Sequence, residues 1–410
     1  MGDIKNTLYP NAIKLTSIDF LNSSHECEFV EYLARLDINN NTLKKSEEDL
    51  IKKLFLHTLN EDKIDYDKPL VLKNKYLYLY AEGAMYYLQA IQSMHSEKDK
   101  LADLEIEELG KILHEISNYQ ERITLVSLGS ANAEKEITAI NKFIKDVGCE
   151  KPIHFIPIDV SAPLIQLAVL KFNHELHECQ NVFIEPIIAD FWDIATVPQY
   201  FDFFRSPDTQ KNIFTLFGST IGNYKEKELL KQITLFMKDG DYLVLGLDLI
   251  PDNDLDKSKT KIYDQYNTIG NIQFMLNPLS HIPKYRGYVS SFNKYFKLNK
   301  DEAVISGSGP QYSLLTDVPF SLCYAPKLEI PLSGPPNRRS PKKMTISMAQ
   351  STKYKFSAFQ KWIKDLKNKY SIPIKEIRFN HSEEDHKCVM VLQKELPVTE
   401  SERPRRPLKT

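Results

Sequence analysis

From residue 123 to residue 247 the apolar and polar positions follow two alternating rhythms. Short apolar runs rich in β-branched residues, at 123–128 (ITLVSL), 153–158, 182–188, 213–217 and 242–247, read as strands. Between them apolar residues recur at helical spacing, which predicts helices from Glu134, over 163–179 and over 225–237. Strands with no polar alternation are buried on both faces, so the pattern predicts an α/β fold with a mainly parallel sheet and helices on both sides. In such sheets ligands settle at the carboxyl ends of the strands, where the strand order reverses. Candidate chemistry is therefore sought just after each strand.

The flanks carry other patterns. Leu50, Ile51, Leu54 and Phe55 predict a helix over 46–59, and a tyrosine-rich segment at 76–91 runs into another. Leu104, Ile106, Leu109, Ile112, Leu113 and Ile116 fall on one side of an amphipathic helix over 101–119. Residues 250–345 break the alternation, with a Gly-Ser turn at 306–310 and a Pro-rich basic loop at 326–343. A helix over 354–369 and a strand pair at 374–379 and 388–392 are expected to close the fold. The expected partition is a discontinuous substrate domain of 1–120 and 251–345, a ligand-binding sheet domain of 121–250 and 346–396, and a disordered tail at 397–410.

Composition narrows the class. The 410 residues suffice for two or three domains, and 42% hydrophobic with 26% charged residues excludes disorder as the main state. Lys and Arg total 53 against 55 Asp and Glu, so the basic excess of a nucleic-acid binder is missing. Neither an apolar leader nor a run of the ~18 residues needed for a membrane span is present, which points to a cytoplasmic protein with no membrane contact. A secreted effector without a cleavable signal has the same profile. The five cysteines (Cys27, Cys149, Cys179, Cys323, Cys388) form no CxxC pair, so neither a zinc ribbon nor a disulfide framework is expected. The 21 tyrosines exceed what a core needs and suit polar-apolar pockets or interfaces.

The strand ends supply the candidate residues. Gly129 begins a GSANA stretch in which Ala131 and Ala133 stand where a nucleotide loop would carry more glycines. Asp159 ends the second strand, where a carboxylate accepts ribose hydroxyls; capping of the next helix by Asp159 or Ser161 is the bland alternative. Asp190 and Phe191 follow the third, an acid for an adenine amino group and a ring to cover the base, or a plain loop. The fourth ends in FGSTIGNY at 217–224, where two glycines bracket hydroxyl residues and an amide follows. The fifth ends in GLDL at 246–249.

With these motifs in place the sequence resembles the histidine-specific S-adenosylmethionine (SAM)-dependent methyltransferases. The matching stretches are LGS at 128–130 with Lys135, PIDVS at 157–161, FGSTIGNY, GLDL, Tyr263-Asp264, FMLNPL at 274–279 and STKY at 351–354. The resemblance implies a Rossmann-like class I methyltransferase sheet with SAM as cofactor and a small amine or amino acid as substrate. Gly129, Lys135, Asp159, Asp190 and Phe191 are then the expected cofactor contacts. Tyr78, Gly218, Thr220, Asn223, Tyr263 and Ser351 are the expected substrate contacts, with Tyr263 as the catalytic residue that positions the amine or takes its proton through water.

Several positions depart from the family pattern. Ser127 replaces an acid before the first glycine motif, Tyr78 is followed by Leu79 and Gly83 by Ala84, and the glutamate that grips imidazole falls on Ala349. Histidine is therefore not the expected substrate. A degenerate member that binds a ligand or protein without methylating is the rival reading. A dinucleotide oxidoreductase is disfavoured, because the glycine triplet is missing and Asp159 lies farther from Gly129 than the usual ~20 residues. His174 and His177 at i,i+3 lack the spacing of a helical zinc pair and read as a solvated face. The basic residues Arg338, Arg339, Lys342 and Lys343 read as a solvated loop, and neither Cys149 nor Cys179 has the surroundings of a nucleophile.

Overall fold

A computed structural model describes residues 13–14, 70–72, 74–78, 80–94, 100–191, 210–250, 255–281, 303–305, 316–318, 321–331, 343–382, 384 and 386–395. The expected helix at 46–59, the turn at 306–310, most of the basic loop and the tail lie outside these residues. Strands β1 (Ile13–Lys14) and β2 (Leu70–Val71) precede a 3-10 turn at Asn74–Tyr78. Helices α1 (Tyr80–Met94) and α2 (Lys100–Ser117) lead into β3 (Ile123–Leu128), α3 (Glu134–Val147), β4 (Ile153–Asp159) and α4 (Ala162–Leu176). Next come β5 (Val182–Ile184), β6 (Ile187–Ile188), β7 (Asn212–Leu216), α5 (Glu226–Phe236) and β8 (Tyr242–Asp248). Helices α6 (Leu255–Tyr266) and α7 (Ile269–Ser280) are followed by β9 (Ala303–Ile305), β10 (Leu322–Tyr324), β11 (Lys327–Pro331), β12 (Lys343–Ser347) and β13 (Ser351–Lys353). Helix α8 (Phe356–Tyr370) and the hairpin of β14 (Ile374–Ser382) and β15 (Lys387–Lys394) complete the order.

The main sheet runs β1-β6-β4-β3-β7-β8-β15-β14, with β5 also paired to β4. Strands β3, β4, β6, β7 and β8 are parallel, and β15 runs antiparallel between β8 and β14. This is the Rossmann-like arrangement that the resemblance implies. The winding reverses between β3 and β7, so the loops after these two strands flank the switch point where ligands bind. The expected strand at 182–188 is split at Pro186, which has no N–H for the ladder.

Alternation along β3 sends its side chains to two cores. Val126 and Leu128 join Leu229 and Ile233 of α5 and Trp362 and Leu366 of α8. Leu125 joins Ile112 and Ile116 of α2 and Ile140 and Phe143 of α3 on the other face. Helix α2 thus covers the sheet although it precedes it in the chain.

A smaller sheet, β11-β12-β2, ties the early segment to the late one. Leu72 N donates to Ser347 O at 3.0 Å, and Asn74 and Gln350 exchange two hydrogen bonds of 2.8 and 3.0 Å. One expectation is corrected here: Cys149 and Cys179 form a disulfide with a Cα–Cα distance of 5.4 Å. Cys149 precedes β4 and Cys179 precedes β5, and the parallel pairing of the two strand starts brings them together across a sequence separation of 30. Cys323 and Cys388 are buried, and burial pushes both thiols up to about 12.

The first residue of α5, Glu226, is fully buried. It accepts Thr316 Oγ1 at 2.7 Å, Tyr354 Oη at 3.0 Å and Asp317 N at 2.7 Å, joining α5 to segments about 90 and 128 positions later. Burial pushes its carboxyl up to about 7, against the pull of the hydrogen bonds it accepts. The folded value lies above the ordinary 4.5, so the folded chain keeps a proton that the unfolded chain releases. Its contribution to stability is complete below about 4.5 and is lost as pH rises through about 7. Glu226→Gln removes that loss. From pH 5 to pH 8 its stability relative to wild type should improve by roughly 2–3 kcal/mol. Denaturant titrations across this range check it, and a difference independent of pH contradicts it.

Candidate active site

Beyond Leu128 the chain turns at Gly129 (φ 69°) and folds back over β4, with Gly129 N and Ser130 N both donating to Ile158 O at 2.8 and 3.1 Å. Ala131 (φ 48°) and Ala133 (φ 52°) are also left-handed. An L residue loses on the order of 1–2 kcal/mol in that region, where glycine loses little. The loop therefore keeps a glycine-type path although only one glycine remains.

Asp159 holds this path. Its Oδ2 accepts Ala131 N at 2.9 Å and its Oδ1 accepts Ser161 N at 2.8 Å. Burial, with a smaller push from Asp190, moves its carboxyl up to about 6, while the backbone bonds pull it down. The capping alternative is met in position only: Ser161 is the N-cap of α4, but its hydroxyl caps no first-turn amide, and Asp159 accepts the Ser161 N–H. Ser161 Oγ and Ser130 Oγ are buried without hydrogen-bond partners.

Asp190 forms an ion pair with Lys75 of the 3-10 turn at 3.0 Å. Phe191 is buried, its ring centroid 5.4 Å from that of Tyr224. A Cβ built on Gly129 would lie 3.4 Å from the Phe191 ring and 3.6 Å from Thr220 Cγ2, so Gly129, Phe191 and Thr220 meet at the switch point.

Lys135 is engaged by a residue that the sequence reading missed. Its Nζ lies 2.6 Å from Oε2 of Glu105, a fully buried carboxylate on α2, whose Oε1 accepts Gly218 N at 2.7 Å. A Cβ at Gly246 would fall 1.7 Å from that Oε1, so the GLDL glycine is what admits Glu105. A glycine inside a strand is the available signal for such a close approach.

The glycines of the FGSTIGNY loop have different tasks. Gly218 (φ 64°) is left-handed, as is Ser219 (φ 58°), whose Oγ accepts Asp248 N at 3.1 Å. Gly222 has no room for a side chain, since a Cβ would sit 2.4 Å from Thr352 O. That approach sets β13, which begins at Ser351, beside the loop. Asp248 is ion-paired with Lys353 and Lys387. Burial raises its carboxyl, but the two ammonium groups prevail and hold it well below the usual carboxylate range.

Tyr78, like Ala131, packs against the cluster of Ala84 and Leu88 of α1 and Leu164 and Leu167 of α4. Its ring centroid lies 5.2 Å from that of Tyr87 and 5.0 Å from that of Phe274 on α7. Asn277 on the same helix donates to Leu77 O at 3.1 Å. Burial, then the fields of Tyr87, Asp159, Tyr224 and Tyr266, push the Tyr78 phenol well above its ordinary value, so it remains a neutral hydroxyl. Asn223, at the end of a 3-10 turn, adjoins Tyr224; Tyr263 lies one turn before Tyr266 on α6. Both are half-buried.

Replacing Ala133 by glycine should remove strain at the N-cap of α3. Ala133→Gly is expected to raise stability by about 0.5–1 kcal/mol, measured by denaturant unfolding. A loss of stability would show that the left-handed conformation is not the one adopted.

A family model described as histidine-specific methyltransferase, SAM-dependent, matches residues 66–295, more than half of the chain. No curated protein matches it. Among solved structures, a SAM-dependent methyltransferase from Methanosarcina mazei is similar at 12% identity and a TM-score of 0.33, covering 70% of this chain and 97% of that one. The Burkholderia thailandensis 1,6-didemethyltoxoflavin-N1-methyltransferase has 7% identity, a TM-score of 0.35 and coverages of 80% and 93%. The magnesium protoporphyrin IX methyltransferase of Synechocystis PCC 6803 has 9% identity, a TM-score of 0.35 and coverages of 75% and 94%. Overlaps this shallow carry no inference about chemistry. Among the described residues, no helix is long and apolar enough to cross a membrane, and no group of three or more His, Cys, Asp or Glu is arranged to hold a metal ion.

Proposed function

The chain belongs to the histidine-specific, SAM-dependent methyltransferase family, and from that premise we propose that it methylates the nitrogen of a small, amino-acid-like amine other than histidine. The observation that carries this reading is the packing of Tyr78, with Phe274 of α7 against its ring, on the same apolar cluster as Ala131, whose N–H is held by Asp159. A cofactor at Asp159 would thus face a pocket suited to an organic amine.

The residues at the switch point fit SAM. Asp159 retains lone pairs beyond those taken by Ala131 N and Ser161 N, enough to accept ribose hydroxyls. The unpartnered hydroxyls of Ser130 and Ser161 adjoin it, and Gly129 leaves the space beside Phe191 and Thr220 free of a side chain. In this reading Gly129, Asp159, Asp190 and Phe191 hold the cofactor, with Lys135 positioned by Glu105.

SAM supplies a methyl group activated on a sulfonium. With SAM bound, the N–CH3 bond would form as the S–CH3 bond broke, S-adenosylhomocysteine (SAH) would leave, and the amine would then shed a proton. The attacking nitrogen must be neutral and in line with the breaking bond. Gly218, Thr220, Asn223, Tyr263, Tyr78 and Ser351 would orient the substrate, with the Tyr263 oxygen accepting an N–H of the amine, and the released proton would pass to solvent water. Ala349, buried and apolar where the family glutamate falls, offers no carboxylate to an imidazole. The loss of a charged hydrogen bond of about 1.5–3 kcal/mol disfavours histidine.

Calorimetric titration with SAM and SAH tests the cofactor assignment. Wild type should bind both and Asp159→Ala should bind neither. Retained affinity in the variant would remove Asp159 from the site, and no binding by wild type at millimolar SAM would remove the function. Thermal-shift screening of amines with SAH present tests the substrate class. Histidine should shift the midpoint less than the best amine; the largest shift with histidine would overturn the exclusion.

A further inference from the structure

Residues 134–136 open α3 immediately after the strained 129–133 loop, and this helix start has no side-chain cap. Its N-cap is Ala133, left-handed and without a hydrogen-bonding side chain. Ser, Thr, Asp or Asn at that place would satisfy one of the orphan amides of the first turn. Glu136, three residues on, turns its carboxylate inward, where it is buried. The same carboxylate reaches the sheet. Oε1 accepts Ser127 Oγ from β3 at 2.6 Å and Thr215 Oγ1 from β7 at 3.0 Å. One buried side chain therefore clamps the start of α3 to both strands of the switch point, on either side of the loop that carries Gly129 and Ala131.

Within the cofactor reading above, we infer that Glu136 is a positioning residue for SAM. It holds the two ends of the 129–133 loop at the spacing that forces Ala131 and Ala133 into left-handed backbone, and so aims Ala131 N at Asp159. Ser130 O accepts Ala133 N at 2.8 Å and Ala133 O accepts Ile137 N at 3.0 Å, so a shift of α3 is transmitted directly along the loop. Without the clamp, the alanines relax toward negative φ, and Asp159 loses the amide that fixes one of its oxygens. Glycine at 131 and 133 makes the left-handed path inexpensive and removes the need for the clamp.

The test is SAH affinity measured by calorimetry on folded protein, with circular dichroism to confirm the fold. Glu136→Ala should weaken SAH binding by about tenfold or more, the scale expected when a site is misplaced rather than emptied. Glu136→Gln, which still offers an acceptor oxygen, should retain most of the affinity. Adding Ala131→Gly and Ala133→Gly to Glu136→Ala should recover most of the loss, a rescue that a purely structural role would not give. Should Glu136→Ala fail to fold, the double variant Ser127→Ala with Thr215→Val removes both strand tethers and replaces it, with weakened binding and the same glycine rescue expected. Binding within about twofold of wild type in a folded clamp variant, or a loss that glycine leaves unchanged, overturns the inference while the cofactor reading stands. If wild type itself fails to bind SAH, both fall together.

Discussion

Two backbone amides, from Ala131 and Ser161, converge on the carboxylate of Asp159, and the geometry of the strand ends depends on that convergence. A carboxylate with little solvent contact is costly unless its oxygens are satisfied, and backbone N–H groups are the partners that also dictate chain path. One bond ties the left-handed loop after β3 to the end of β4, and the other fixes the start of α4. Asp190 lies close enough to push the Asp159 carboxyl further up, and its own charge is met by Lys75. The early segment is thereby attached to the strand ends by charge as well as by packing.

Around this centre, buried acids each connect elements distant in the chain. Glu105 brings α2 to Gly218 and Lys135, Asp248 gathers Lys353 and Lys387, and Glu226 binds the segment at 316–317 together with Tyr354. Buried polar networks of this kind confer a specific arrangement when fully satisfied and are damaging when partly so. They explain why the loop after β7 and strand β13 lie in register: Gly222 lets the Thr352 backbone approach, and Asp248 secures Lys353 next to it.

Much of the sheet was legible because burial on both faces leaves a continuous apolar signature. The run at 123–128 is β3 to the residue, and the expected helix from Glu134 is α3. The motif residues Gly129, Asp159 and Phe191 could be placed because they follow such runs. Glu105 and Glu136 could not. A charged residue on an amphipathic helix looks like part of its solvated face, and only the facing elements reveal that these two carboxylates point inward. The left-handed alanines escaped notice for a related reason, since the expected residue for such backbone is glycine. The pairing of Cys149 with Cys179 was missed because a contact between segments 30 positions apart leaves no local trace.

The sequence by itself determined the alternation of strands and helices, the motifs at the strand ends and the family, since these depend on periodicity and on short motifs contiguous in the chain. Only the tertiary structure decided which charges meet: Lys75 with Asp190, Glu105 with Lys135, and Glu136 with Ser127 and Thr215. The physical reason is the range of the forces that select each feature. Apolar burial follows the local repeat of a helix or strand, whereas a buried carboxylate is tolerable only beside donors brought to it from elsewhere by the completed fold.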